Sequence, residues 1–293
     1  VPQYTLDGVP LDHPAGCWKL KRGTQRRPLP GARAVRVTVP GRAGELPIVG
    51  LDHELTSFSL VFTVTGATPS GGHGGFPQLE ANLEALSALL GVRHRLMTLR
   101  YQAGSIVRVA DVTIVAASEP ELWVGAARAR LTAVVEVPSV YWRDETVTTW
   151  EGSANASGQP ITTLAGSTAP ITDSLIRVTG PATNITIRDA ATQGAVGLLT
   201  SGSNSITASE RLLIDSAAMR AAVVTTDIWD LAAGTDRTGV ISVFGPGSAS
   251  RWLHLTPAVA VGDPFSRAVL ISCSGSGVTA ASKLEVRARR AYL

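Results

Sequence analysis

From Leu55 to Thr65 the chain alternates apolar and polar residues, so that Phe58, Leu60, Phe62 and Val64 share one face. Such a period of two, rich in aromatic and β-branched residues, predicts a half-buried strand. The same writing marks Ala34–Val39, where Val35, Val37 and Val39 oppose Arg36 and Thr38. It returns in Leu96–Tyr101, Ser105–Val115 and Ala126–Val137. A first strand near Tyr4 should turn at Asp7-Gly8. One stretch breaks the pattern. Leu79, Leu83, Leu86 and Leu90 recur at helical spacing within Pro77–Leu90, which predicts an amphipathic helix. Pro77 suits a first helical position, Glu80 and Glu84 sit early, and Gly91 is placed to end it. The loop before it, residues 66–76, is glycine-rich around His73 and reads as flexible. The first half is therefore α+β, one helix laid over an antiparallel sheet.

Across residues 144–160 the composition shifts to Thr, Ser, Ala and Gly. A domain boundary there gives a first domain at 1–148 and a second at 149–293. Strands are expected at 175–179, 184–188, 195–200, 211–215, 222–229, 238–243, 251–256, 267–273 and 283–290. Only Ser216–Ala222 offers a short helical candidate. Short apolar runs closed by Gly, Pro, Asn, Ser or Asp, best seen in Ile161–Val223, predict two packed antiparallel sheets. The fold class is mostly β: an α+β N-terminal domain followed by a β-sandwich.

Charge narrows the function only slightly. The net charge is +3 over 293 residues, too small to be a nucleic-acid signature. Cations concentrate in Lys19, Lys21, Arg22, Arg26, Arg27, Arg33 and Arg36. Aromatics that would stack bases are missing there apart from Trp18, so sequence-specific nucleic-acid binding is not expected. The planar arginine fork serves subunit interfaces equally well. Cys17 and Cys273 belong to no ligand spacing and are expected as reduced, semi-buried thiols. No apolar run is long enough to span a bilayer and no signal-peptide pattern opens the chain. Synthesis in a cytosol is expected.

Catalytic writing is sparse. The chain has no phosphate-binding glycine loop, dinucleotide fingerprint or nucleophile elbow. Asp52-His53-Glu54 is the densest polar triplet, but neighbours in an extended chain point to opposite faces. The carboxylates Asp173, Asp189, Glu210, Asp215, Asp227, Asp230, Asp236 and Asp263 mostly sit at apparent turns, which their side chains cap. No enzyme, metal site or cofactor is expected. For sugar contact the candidates are Trp229, Trp252 and His254. Alternation puts Trp252 and His254 opposite Leu253 and Leu255, which belong to the core, and leaves Arg251 awkwardly on the leucine side.

The arrangement resembles the distal tail protein family (Dit) of long-tailed, non-contractile phages. It rests on the helix Pro77–Leu90 and the closing Val137-Pro138-Ser139-Val140-Tyr141-Trp142 in the first half. In the second half it rests on Gly166–Ile171, Ile176–Pro181, Ile185–Asp189, Leu212–Asp215, Gly245-Pro246-Gly247 and Trp252–Leu255. The resemblance implies a ring-forming N-terminal domain and a galectin-like or carbohydrate-module-like sandwich. It implies a structural virion protein at the tail tip, made in the host cytoplasm. As a hexameric ring it would join the tail tube protein to tip or hub proteins. The sugar-binding set of true galectins is not recognisable, which favours a docking surface over a lectin. Binding of a host surface glycan by an adhesin or receptor-binding module is the alternative. A head-to-tail ring needs two different patches per subunit. Arg22, Arg26, Arg27 and Arg33 are candidates for one, and Glu80, Glu84 or Glu121 for the other.

Overall fold

A computed structural model of the protein describes residues 3–25, 27–33, 40, 41, 43, 52–198, 204–245 and 252–293. Arg26, the expected strand Ala34–Val39 and Arg251 lie outside the described residues. The chain divides into two compact units, Val1–Glu145 with Leu293, and Thr146–Tyr292.

The first unit contains β1 (Gln3–Leu6), β2 (Trp18–Leu20), β3 (Thr56–Thr65), α1 (Gly75–Leu90), β4 (Met97–Ala103), β5 (Ile106–Ala117) and β6 (Arg128–Val137). The strands follow the order β1-β4-β5-β6-β3-β2, and every neighbouring pair is antiparallel. Val9–Pro10 extends the sheet beyond β1. Asp7 and Gly8 join these two with φ of 48° and 81°. Positive φ at both central residues is what a two-residue hairpin turn of type I′ requires, and glycine meets it without steric cost.

The alternation in β3 is realised. Phe58, Leu60, Phe62 and Val64 are buried, and opposite them on β6 so are Ala129, Leu131, Ala133 and Val135. Helix α1 packs on β3 and β6 through Leu79, Leu83, Leu86 and Leu90, the stripe that helical spacing predicts. It starts at Gly75, two residues before Pro77. Proline is tolerated there because first-turn N–H groups have no intrahelical partner. Glu80 consequently lies beyond the first turn. Gly91 closes the helix with φ of −82°, an ordinary right-handed conformation.

A buried polar residue interrupts the leucine stripe. Asn82 donates from Nδ2 to the carbonyls of Thr65 at 2.7 Å and Ala67 at 2.8 Å, while its Oδ1 accepts from Gln78 at 3.0 Å. These bonds tie the helix to the end of β3 and satisfy carbonyls that the sheet leaves open. The glycine loop carries hydrogen bonds of its own. Gly72 N–H bonds Thr68 Oγ1 at 2.8 Å, and Gly74 N–H bonds Gly66 O at 2.8 Å. Gly66 is a close-approach position: a Cβ there would lie 2.2 Å from the Gly75 carbonyl oxygen.

Aromatic rings fill the centre of the first unit. Trp142 is 2% exposed, with ring centroids of Tyr4 and Phe58 at 6.4 Å and Tyr101 at 6.5 Å. The aromatic pair that closes the first half thus contributes its tryptophan to the core.

The second unit contains β7 (Thr148–Ser153), β8 (Ala156–Pro160), β9 (Leu175–Thr179), β10 (Ala182–Asp189), β11 (Ala195–Leu198), β12 (Arg211–Asp215), β13 (Arg220–Val224), β14 (Ile241–Phe244), β15 (Asp263–Ser276) and β16 (Lys283–Ala288). One sheet runs β7-β16-β9-β12-β13 and ends on Thr235–Asp236. The other runs β8-β15-β10-β11-β14. All these pairings are antiparallel. Inward positions of the first sheet, such as Ile176, Val178, Leu212, Ile214, Leu284 and Val286, are buried. So are Ile185, Ile187, Val196, Val269 and Ile271 of the second. The fold class is mostly β, as expected.

Several details differ from the sequence pattern, among them the expected strand at 222–229, which ends at Val224, and that at 238–243, whose first three residues form a 3-10 turn. Strands β7 and β8 read TTWEGS and ASGQP, too polar to announce themselves; pairing to β16 and β15 makes them strands. Ser216–Ala222 forms no helix. Asp215 Oδ1 accepts from the N–H groups of Ala217 and Ala218, both at 2.9 Å, and this turn leads into β13. Local side-chain hydrogen bonding wins over a weak helical preference. Residues 252–256 are not a strand but an irregular segment held by the bridge between Leu255 and Ile171.

Candidate functional site

The most highly connected polar cluster lies on the outer face of the β9–β16 pair. Strand register sets Arg177 directly opposite Glu285. Flanking Ile176, Val178, Leu284 and Val286 point into the core, so period two sends both charges to the other face. The pair is bidentate: Arg177 Nε donates to Glu285 Oε2 at 2.7 Å and Nη2 donates to Oε1 at 2.6 Å. The remaining side of the fork, Nη1, donates to Asp227 Oδ1 at 2.5 Å. Trp229 covers the guanidinium, its ring centroid 4.3 Å from the Arg177 Cζ and 5.9 Å from that of Arg287. Desolvation works against the Arg177 charge, but hydrogen bonds to Glu285 and Asp227 outweigh it and hold its pKa above the ordinary value.

Chemically this is a clamp. Arginine stays protonated at any accessible pH, and both Glu285 oxygens are occupied by it. Neither group is free to act as an acid, base or nucleophile. The cluster fastens the segment Asp227–Trp229 onto the sheet through charge-assisted bonds and a cation–π contact. Of the sugar-contact candidates, Trp229 therefore belongs to this clamp, half-buried. Trp252 and His254 are half-buried in the segment bridged to Ile171, with Leu253 and Leu255 in the core as alternation predicts.

The interface candidates lie in the first unit. Arg22 and Arg33 are exposed. Arg27 has its guanidinium 5.0 Å from the centre of the Tyr101 ring, so part of its charge is engaged within its own unit. Glu80 and Glu84 are exposed on α1, opposite the leucine stripe. The structure brings no member of the basic group against either glutamate among the described residues.

Several other titratable groups are held locally or buried. His53 Nδ1 lies 2.9 Å from the Tyr141 hydroxyl. Asp189 is fully buried and holds its own loop, accepting from Thr192 Oγ1 at 2.7 Å and from the N–H groups of Thr192 and Thr256. Burial pushes its carboxyl pKa up against those hydrogen bonds. Cys17 and Cys273 are buried free thiols, and burial pushes Cys273 up to about 12. Among the described residues, no group of three His, Cys, Asp or Glu side chains gathers to hold a metal ion. No helix is long and apolar enough to cross a membrane among the described residues.

Two surface features were not legible from single segments. On the outer face of the β8–β15–β10 strands a groove of about 470 Å³ is lined by Asn155, Ser157, Arg188, Gln193, Ser272 and Ser274, among others. On the first unit, a groove of about 220 Å³ is lined by Gly16, Lys19, Lys21, Thr63, Thr65 and Arg128. For the clamp a sequence signal did exist: one opposite charge at the centre of each of two apolar strands.

No family model matches the chain and no curated protein matches it. Two solved structures overlay on it, described as the phage p2 baseplate in its activated conformation with Ca and with Sr. Each shows 9% sequence identity and a TM-score of 0.39, covering 98% of this chain and 98% of the other. An overlay this loose places no residue of the chain in a role.

Proposed function

We propose that this protein is a structural component of a phage tail tip, a ring of six copies joining the tail tube to tip or hub proteins. The observation that carries the reading is the order of parts. An antiparallel sheet under one leucine-striped helix closes on Tyr141-Trp142 and is followed by a two-sheet sandwich, the organisation on which the resemblance to distal tail proteins rests. In this reading residues 1–148 form the ring and residues 149–293 the outward domain. The densest ionic cluster supports it by being a self-contained clamp rather than a catalytic site. Exposed Arg22, Arg33, Glu80 and Glu84, without ion-pair partners among the described residues, leave charge available for contacts between copies. Light scattering on the purified protein should give six times the chain mass, and negative-stain microscopy should show rings with a central hole. A single-chain mass at all accessible concentrations would overturn the ring.

The polar groove beside Arg188 supports one second reading, a glycan-binding outer domain. Hydroxyls, amides and one guanidinium around a shallow cleft suit sugar hydroxyls. A glycan array on the full chain tests it: binding that disappears in Arg188→Ala is the expected result. Silence across host-surface glycans, or binding that survives the substitution, removes this groove as the site.

A further inference from the structure

The first unit carries opposite charges on its two outer layers. In the β2–β3–β6 part of the sheet, Trp18, Leu20, Phe62, Val64, Ala129 and Leu131 point towards the core that α1 covers, Leu20 only half-buried and the rest buried. Their neighbours in sequence point the other way. Register places Lys19 opposite Thr63, Thr63 opposite Arg130, and Thr65 opposite Arg128. Lys21 follows on the same strand line, its N–H on the Val61 carbonyl at 2.8 Å. Lys19, Lys21, Arg128 and Arg130 are all exposed and make no ion pair among the described residues. No nearby acid forms an ion pair with them among the described residues. Asp12 is turned to the Leu20 N–H at 3.0 Å. Glu121, opposite Arg130 in register, makes no ion pair with it. The groove lined by Lys19, Lys21 and Arg128, about 220 Å³ with Thr63 and Thr65 in its wall, is open to an anionic partner.

The other layer is acidic. On α1, Glu80 and Glu84 are one turn apart on the face away from the sheet, with Ala81, Ala85 and Ala88 exposed around them. Arg93 does not reach them, because it bonds the Leu90 and Val92 carbonyls at 2.7 and 3.2 Å. One sheet face is therefore basic and the helix on its opposite side is acidic and small-surfaced. Two complementary patches on different sides of one subunit are the requirement for a head-to-tail contact.

We infer that the Lys19–Lys21–Arg128–Arg130 face receives the Glu80–Glu84 helix of a second copy of this chain. The inference rests on the ring reading above and replaces the Arg22–Arg33 segment with a sheet face as the basic half of the contact. Alanines beside the glutamates allow the helix to approach the groove closely. The carboxylates then meet ammonium and guanidinium groups that hold no ion pair among the described residues.

The test uses the full chain and two exposed-residue variants. One carries Glu80→Lys with Glu84→Lys; the other carries Lys19→Glu with Arg128→Glu. Each alone should associate at least about tenfold more weakly by light scattering, since like charges then face each other. Mixed in equal amounts they should reassemble, because each supplies the patch the other now needs. Rising salt should weaken the parent contact. A parent ring unchanged by either variant overturns this contact and leaves the ring reading standing. A parent that never associates overturns both. Circular dichroism of each variant confirms that its fold is kept.

Discussion

Replacing Arg177 with alanine should destabilise the sandwich by about 3–5 kcal/mol, the range for removing one partner of a buried ion pair. The physical reason is the state of Glu285. Its side chain is 10% exposed, and both oxygens accept from Arg177. Without the guanidinium, a carboxylate would be left desolvated between core-facing Leu284 and Val286. Asp227, whose side chain is 72% exposed, returns to water at little cost, so its substitution should matter much less. Replacing the pair together, Arg177→Met with Glu285→Leu, should recover most of the loss, because no unpaired charge then remains. Urea unfolding of the two single variants and the double variant closes a double-mutant cycle. An Arg177→Ala variant within about 0.5 kcal/mol of the parent, the usual spread of surface substitutions, would sink the clamp.

Trp142→Ala should be comparably severe in the first unit, about 3–5 kcal/mol, as for large aromatic truncations in cores. Trp142 is 2% exposed and meets Tyr4, Phe58 and Tyr101, so its removal leaves a cavity bounded by three rings that cannot all collapse into it. Trp142→Phe should be far milder, within about 1–2 kcal/mol. The indole Nε1 is buried without a hydrogen-bond partner among the described residues, and phenylalanine removes that unsatisfied donor while keeping most of the ring. Thermal unfolding of both variants reads the difference. Equal losses for Ala and Phe would show that ring packing is not what Trp142 contributes.

Much of the architecture was legible in short windows. The β3 alternation, the α1 leucine stripe and the Asp7-Gly8 turn are local consequences of side-chain period and backbone sterics, and each appears where the pattern puts it. So do Leu175–Thr179 and Arg211–Asp215, strands whose bounds agree residue for residue with expectation. The hydrogen bonds within the glycine loop at 66–76 were not legible, because glycine content reports conformational freedom and not the contacts the chain then makes. Strands β7 and β8 were invisible because their residues become strand by pairing with a neighbour, not by their own preference.

The candidate sites were less legible, for one reason. Arg177 lies 108 residues from Glu285 and 50 from Asp227. Lys19 and Arg128 come from separate strands joined across β3. By itself the sequence determined which apolar residues of the patterned strands and of α1 face inward, since that follows from the two periods. The tertiary structure alone decided which outward residues stand side by side. Register between distant strands turned Arg177 into a buried clamp and left Lys19, Lys21, Arg128 and Arg130 as one exposed basic face.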